Sequence, residues 1–210
     1  FNHSGFLGTE IYTEQLLPQI EMSFRNEGVI PSFFIKEIGG YRIIGDKLRA
    51  NGYRIVDRLS VMEMATTSFN VNSEVKPEVI GDEGMEQWCE TYLLSFYEEK
   101  GLLGHVMGIT DRAIKDKKAR LILAEYEGVP AGTLALFETE KIGGVYCVGT
   151  IPKFRRRGVA STMRKFAYEL TKEAGKKLAL QTFLTNSLER FYQQMGFRRV
   201  YLKEVLVKSE

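Results

Sequence analysis

Histidine and cysteine are scarce: His3 and His105 are the only histidines, Cys89 and Cys147 the only cysteines. A histidine-rich zinc site is thereby excluded, no metal is expected, and a Ser-His-Asp or Cys-His engine would have to rest on His105 alone. Two cysteines so far apart read as reduced thiols of a cytoplasmic protein rather than a bridge. No apolar run approaches the ~20 residues needed to cross a bilayer, so no membrane partner is expected. Neither sign of charge dominates. The formal net charge is +2, from 29 Lys+Arg against 27 Asp+Glu, which speaks against a nucleic-acid partner held by bulk charge. The opening Phe1-Asn2-His3-Ser4-Gly5 has neither Met nor a basic-then-apolar signal pattern and reads as a trimmed end. What is present is ordinary globular composition, 210 residues at 44% hydrophobic and 27% charged. That suits one large or two small domains of ~100–200 residues each, and excludes a disordered tail, a collagenous repeat and a disulfide mini-scaffold.

The C-terminal half reads as a succession of elements. Arg120–Tyr126, Gly132–Thr139 and Val145–Ile151 are apolar runs separated by the turns Glu127-Gly128-Val129-Pro130 and Lys141-Ile142-Gly143-Gly144. Short strands joined by glycine-bearing turns predict an antiparallel meander. Val159, Met163, Phe166, Ala167, Leu170 and Ala174 then recur on one face of a 3.6-residue period, and Gly175 stops that helix. Leu178–Thr182 is a buried strand, Leu188–Met195 a short helix stopped by Gly196, and Phe197–Val207 a closing strand or hairpin.

The first 64 residues echo this ending. A helix around Glu14–Asn26 stops at Gly28, a strand covers Pro31–Lys36, a second helix runs Tyr41–Ala50 to its stop at Gly52, and Tyr53–Met64 closes as a strand. Gly28 and Gly52 stand to Gly175 and Gly196 at nearly one offset, and Asn51-Gly52-Tyr53-Arg54 matches Met195-Gly196-Phe197-Arg198 in kind. Residues 1–65 are therefore expected to be a partial, degenerate repeat of the domain at 66–210; the plainer alternative is that any αβαβ stretch looks like another. Between them, residues 66–80 are polar and extended, Asp82–Lys100 is a helix with Met85, Trp88, Cys89, Tyr92, Leu93 and Phe96 on one side, and Lys115–Lys118 is a charge cluster on a loop or helix edge.

The densest chemical signal is Thr150-Ile151-Pro152-Lys153-Phe154-Arg155-Arg156-Arg157-Gly158-Val159-Ala160-Ser161, between a strand and an amphipathic helix. Unpaired backbone N–H groups and the helix dipole make such a junction an anion site. Gly158 and the small Ala160 let a ligand approach the backbone, and arginines suit phosphate oxygens. There is no G-x-x-x-x-G-K-[ST] loop and no G-x-G-x-x-G after a strand, so neither a P-loop nor a dinucleotide fingerprint competes. An Arg-Arg-Arg run by itself is a solvated face or a weak nucleic-acid patch, but this one is followed at once by Gly-x-Ala and a helix.

Arg155-x-x-Gly158-x-Ala160 satisfies the Q/R-x-x-G-x-G/A signature of the GNAT superfamily of acyl-CoA-dependent N-acyltransferases, and Phe191-Tyr192-Gln193-Gln194-Met195-Gly196-Phe197 resembles its second landmark, L/F-Y-x-x-x-G-F. The resemblance covers roughly residues 75–207. It implies an α/β (α+β) fold with a mixed, mostly antiparallel sheet, a V-shaped splay between the fourth and fifth strands, and flanking helices. It further implies that Arg155, Arg156, Arg157, Gly158, Val159, Ala160 and Ser161 hold the CoA pyrophosphate, and that Val148, Gly149 and Thr150 pair edge-on with pantetheine. Oxyanion stabilisation would come from a backbone N–H near Val148, and Tyr192 would protonate the leaving thiolate. The alternative for Tyr192 is packing with Phe191 and Phe197. Lys153, Arg164, Lys165, Lys176 and Lys177 are candidates for the 3′-phosphate.

The chain departs from the family pattern in three places. The family's Asn before the Tyr falls on Thr185, so Asn186 is either a cofactor contact or an N-cap. Arg156 stands where a Gly is common, which is tolerable if its side chain turns to solvent. No carboxylate lies on Val145–Ile151, so Glu138, Tyr146 or a water chain must act as base unless the amine arrives neutral. Cys147 is an acyl-carrying nucleophile or a packing residue, and Trp88 and Tyr92 border the acceptor or the core. The implied activity is acetyl transfer from acetyl-CoA to a small-molecule or peptide amine. Residues 1–65 would wall off the acceptor site or support homodimerisation. A non-catalytic acyl-CoA sensor is the second reading.

Overall fold

The computed structural model describes residues 16–115, 119–185 and 188–208. Glu14, residues 116–118 of the charge cluster, Asn186 and Ser187 lie outside the described residues. The elements, in chain order, are α1 (Leu16–Asn26), β1 (Ser32–Lys36), α2 (Tyr41–Ala50), β2 (Tyr53–Met64), β3 (Val75–Ile80), α3 (Met85–Phe96), α4 (Leu103–Lys115), β4 (Ala119–Tyr126), β5 (Val129–Glu138), β6 (Ile142–Thr150), α5 (Val159–Glu173), β7 (Lys177–Phe183), α6 (Leu188–Gln194) and β8 (Phe197–Lys208). The strands form a mixed, mostly antiparallel sheet of eight, flanked by helices. The chain divides into two compact units, each discontinuous in sequence.

One unit holds, among the described residues, 16–62, 181–185, 188–194 and 198–208. Its β1 and β8 pair antiparallel from Ser32↔Val207 to Lys36↔Lys203. The inward residues of β1, Phe33 and Ile35, meet Leu17 of α1, Ile44 and Leu48 of α2, Tyr53 of β2 and Leu206 of β8 in one cluster. That is the period-2 strand face meeting the period-3.6 helix face. Phe33 and Tyr53 contact edge to face at 5.2 Å, and each fully buried side chain of this size stabilises by roughly 1.5–3 kcal/mol.

The other unit holds residues 63–115, 119–180 and 195–197. Here β3, β4, β5 and β6 run as an antiparallel meander, and β7 joins parallel to β6 after the α5 crossover. Parallel pairing requires such a crossover, whereas antiparallel neighbours need only a turn. Alternate residues face opposite helices: Leu121, Leu123 and Ala135 pack with Trp88 and Cys89 of α3, while the space beside Gly132 is filled by Val159 and Met163 of α5. β5 is accordingly buried without interruption from Ala131 to Leu136. The β6–β7 ladder runs only from Ile142↔Lys177 to Val145↔Leu180, and β6 continues beyond it to Thr150.

Two expectations need correction. The helix expected over Asp82–Lys100 is a 3₁₀ turn at Asp82–Gly84 followed by α3, which ends at Phe96; Glu98 adopts φ 58°, in the left-handed region that ends helices. Helix α4 had no counterpart among the expected elements. Gly104 and Gly108 dilute its pattern, yet Leu103, Val106, Met107 and Ile114 pack on the Trp88 cluster. The stretch 66–80, expected to be polar and extended, contains the strand Val75–Ile80. The helix-stopping glycines behave as the sequence suggested: Gly28, Gly52, Gly175 and Gly196 have φ of 67°, 83°, 68° and 88°.

Phe33 is fully buried. Phe33→Ala should therefore cost about 3–5 kcal/mol, read as a lowered urea midpoint; a loss within the error of wild type would show that the cluster around β1 is not a packed core.

Candidate functional site

The candidate site begins at a defect in β6. Its register with β5 passes from Ala135↔Tyr146 to Thr133↔Gly149, so Cys147 and Val148 together oppose Leu134 alone. A bulge of this kind takes backbone groups out of the ladder and turns the strand locally. Cys147 adopts φ 52°, and the buried Thr133 hydroxyl donates to its carbonyl at 3.0 Å. Gly149 follows, with Ser95 and Phe96 of α3 within 2.7–2.8 Å of where a side chain would begin.

Beyond Thr150 the chain closes a 3₁₀ turn at Pro152–Phe154 and enters the arginine run. Arg155 is exposed yet bonded to protein: its N–H donates to the Pro152 carbonyl at 3.1 Å, Nε to Thr150 O at 3.2 Å and Nη2 to Ser95 O at 3.1 Å. It ties the loop to the ends of β6 and α3. Arg156 is exposed and left-handed, φ 62°. Its side chain turns to solvent, as its departure from glycine required. Arg157 lies 5.2 Å over the Tyr126 ring. Gly158 caps α5 with φ 79°, ψ 5°, a conformation that favours glycine. Thr162 N–H already donates to Gly158 O at 2.9 Å, while the N–H groups of Val159, Ala160 and Ser161 belong to the first turn, where a helix provides no carbonyl partner. Two left-handed residues and a helix start thus converge where the sequence placed the anion site, and the donor set suits a diphosphate.

The structure brings together in one unit Val148, Gly149, Thr150 and Arg155 to Ser161. Tyr192 lies on α6 in the other unit, half-buried and 5.3 Å from the Phe191 ring; burial pushes its phenol pKa up. In that unit Thr185 Oγ1 donates to Asp57 at 2.6 Å, and Glu189 pairs with Arg199.

Several further candidates are occupied by structural work. Glu138 is held by Arg120 at 2.7 Å and Lys176 at 2.9 Å. Trp88 is buried and donates Nε1–H to Ile122 O at 3.0 Å, with Tyr92 stacked on it at 5.6 Å. Lys165 pairs with Glu169 and Lys177 with Glu63. Arg164 is only 6% exposed, donates Nη2–H to Ser68 O at 3.1 Å and lies 4.7 Å over Phe69; burial lowers its pKa. It is a buried pin rather than a surface ligand for phosphate. Among the described residues no group of three or more His, Cys, Asp or Glu could hold a metal ion, and no helix is long and apolar enough to cross a membrane. Sequence reasoning missed the bulge, Thr133 and Asn72; a hydroxyl beside a bulge and an Asn in a polar linker carry no motif.

Comparison with known proteins now bears on this geometry. Residues 62–197 match the family model described as the acetyltransferase (GNAT) family. A functionally unknown conserved protein from Staphylococcus epidermidis superposes with TM-score 0.70 at 14% identity, covering 98% of this chain and 82% of that one. A GCN5-related N-acetyltransferase from Kribbella flavida gives 0.68 at 18%, covering 92% and 74%. A tandem GNAT protein from the clavulanic acid biosynthesis pathway gives 0.67 at 11%, covering 92% and 68%. At such identities the likeness is one of fold. No curated protein matches the sequence.

Burial pushes the Cys147 thiol up to about 11, against an ordinary ~8.5. A raised thiol pKa contributes stability that is fully present below the unfolded value and is lost as pH rises through about 11. Iodoacetamide should label Cys147 slowly near pH ~8 in the native chain and at the ordinary thiol rate in urea. Rapid native labelling at that pH, mapped by mass spectrometry, would instead mark a reactive nucleophile.

Proposed function

Since the chain belongs to the GNAT acetyltransferase family, we propose that it transfers an acetyl group from acetyl-CoA to a primary amine of a small molecule or peptide by direct attack, with no acyl-enzyme. The observation that carries this reading is the junction of bulged strand, left-handed loop and helix start, with Arg155-x-x-Gly158-x-Ala160 at its centre. Acetyl-CoA supplies the activated acyl group as a thioester. The N–H groups from Gly158 to Ser161 and the positive end of α5 bind the diphosphate, at roughly 0.3–1 kcal/mol per charge from the dipole alone. Val148, Gly149 and Thr150 on β6 offer backbone partners to the pantetheine amides. The N–H of Val148, in the bulge, stabilises charge developing on the acyl oxygen. As the amine nitrogen bonds to the acyl carbon the C–S bond breaks, and Tyr192 gives its proton to the departing sulfur. A raised phenol pKa keeps that proton in place until a thiolate forms. Because Glu138 is held by two cations, the amine loses its proton to Tyr146 or to water, or arrives neutral.

Residues 1–65 are proposed to be a partial, degenerate repeat without a phosphate loop, serving as an accessory to the domain at 66–210. The order α1-β1-α2-β2 reproduces α5-β7-α6-β8, each helix closed by a left-handed glycine, and the likeness to a tandem GNAT protein is consistent with it. The engagement of Glu138 favours a second reading, an acyl-CoA sensor without turnover; thiol release from acetyl-CoA across a panel of amines separates the two.

Calorimetry should find one CoA per chain, and Gly158→Asp should weaken it at least tenfold, about 1.4 kcal/mol. A stoichiometry of two would refute the degenerate repeat, and unchanged affinity in the variant would remove the phosphate-loop assignment. Tyr192→Phe keeps the ring and removes the donor, so the pre-steady-state rate should fall ~10²–10⁴-fold with little change in CoA affinity. Surviving turnover with a lowered Tm would make the phenol structural.

A further inference from the structure

The linker between β2 and β3 lies along α5: Ser68 O accepts from Arg164, the Phe69 ring sits 5.3 Å from that of Tyr168, and Asn72 reaches the helix start. Every polar group of Asn72 is engaged. Its N–H donates to Thr162 Oγ1 at 3.1 Å, its carbonyl accepts from Val75 N–H at 3.1 Å, Oδ1 accepts from Glu74 N–H at 2.9 Å, and Nδ2 donates to the Arg157 carbonyl at 2.8 Å. The two side-chain bonds fix which end of the amide faces the loop, because a carbonyl can only accept and an N–H can only donate. A half-exposed asparagine ordinarily spends these groups on water; this one is anchored by the start of β3 and the first turn of α5.

The peptide it grips is Arg157–Gly158. In a planar trans peptide the carbonyl and the following N–H point in opposite directions, so holding the Arg157 oxygen toward Asn72 aims the Gly158 N–H away from it. Released, that peptide can turn over and present its carbonyl, the negative end of the dipole, where the N–H had been. Gly158 makes such a change easy, since the flip rotates ψ of Arg157 and φ of Gly158, now 79°, and glycine populates both signs of φ. Asn72 also stands where a Gly158 side chain would begin, 3.1 Å from Asn72 Cβ.

We infer that Asn72 is a positioning residue for diphosphate binding, holding the Arg157–Gly158 peptide so that the Gly158 N–H faces the ligand. This rests on the acyl-CoA reading above. It assigns to the inter-strand linker a part in cofactor affinity that the loop motif does not contain.

The test measures CoA binding by calorimetry for wild type, Asn72→Ala, which removes the pin, and Asn72→Asp, which sets a carboxylate oxygen against the Arg157 carbonyl. Losses of about tenfold for Ala and more for Asp are expected, about 1.4 kcal/mol for the tenfold change. In turnover, KM for acetyl-CoA should rise while kcat holds. Pantetheine, which has no diphosphate, should inhibit all three proteins equally. Unchanged CoA affinity in the Ala variant overturns the inference, even if the Asp variant fails to fold. Parallel loss of CoA and pantetheine overturns it too, because the residue would then support the whole unit. A wild-type chain that takes up no CoA overturns the acyl-CoA reading itself, so the two failures are distinct.

Discussion

The parallel pairing of β6 with β7 is the constraint on which the candidate site depends. Two parallel neighbours cannot be joined by a turn, so the chain must leave the end of β6, cross the sheet as a helix and return. That requirement places the N-terminus of α5 directly after the last residues of β6. The sheet edge and the helix dipole then end at one place, and only eight residues, Ile151 to Gly158, lie between them. The ladder ends at Val145↔Leu180, and β6 continues beyond it to Thr150. The strand end and the helix start that make up the candidate site are consequences of the same crossover.

Rigidity at this junction comes from bonds that oppose each local freedom. The bulge at Cys147 and Val148 would leave a carbonyl unmatched, and Thr133 supplies the donor. The loop could swing away from the sheet, and Arg155 fastens it to Thr150 and Ser95. The start of α5 lacks a side-chain cap, and Asn72 binds the carbonyl just before it. Each bond is modest by itself, about 0.5–1.5 kcal/mol net, but together they hold two left-handed residues in place before a ligand arrives. Preorganisation of this kind lowers the ordering cost of binding. It also explains why the arginines divide their labour. Arg155 works on protein carbonyls and Arg157 on Tyr126.

Legibility varied with the range of the interaction. The 3.6-residue stripe of Val159, Met163 and Ala167 predicted α5, and the turn glycines predicted the ends of α1 and α2, because these depend on neighbours within one or two turns. Helix α4 was illegible because Gly104 and Gly108 weaken its propensity while its packing on Trp88 supplies the compensation. The bulge could not be read at all. β5 is buried on both faces, so no alternation of apolar and polar residues marks the slip of one position between it and β6. Arg164 looked like a surface cation because its residue type says so; the linker through Ser68 and Phe69 is what buries it.

The order of elements, the absence of a metal-ligand set rich in histidine, and the chemistry of the Arg155–Ser161 junction were determined by the sequence alone, since each depends on residue types at short spacing. Only the tertiary structure decided which donors in that junction remain for a ligand. Arg155 could have bonded to water alone, Asn72 could have been one more polar linker residue, and Cys147 could have sat in a regular strand. Their roles follow from partners far away along the chain, Ser95, Arg157 and Thr133. A hydrogen bond between distant segments leaves no periodicity in either of them, and it exists only once the sheet and its crossover have brought the two together.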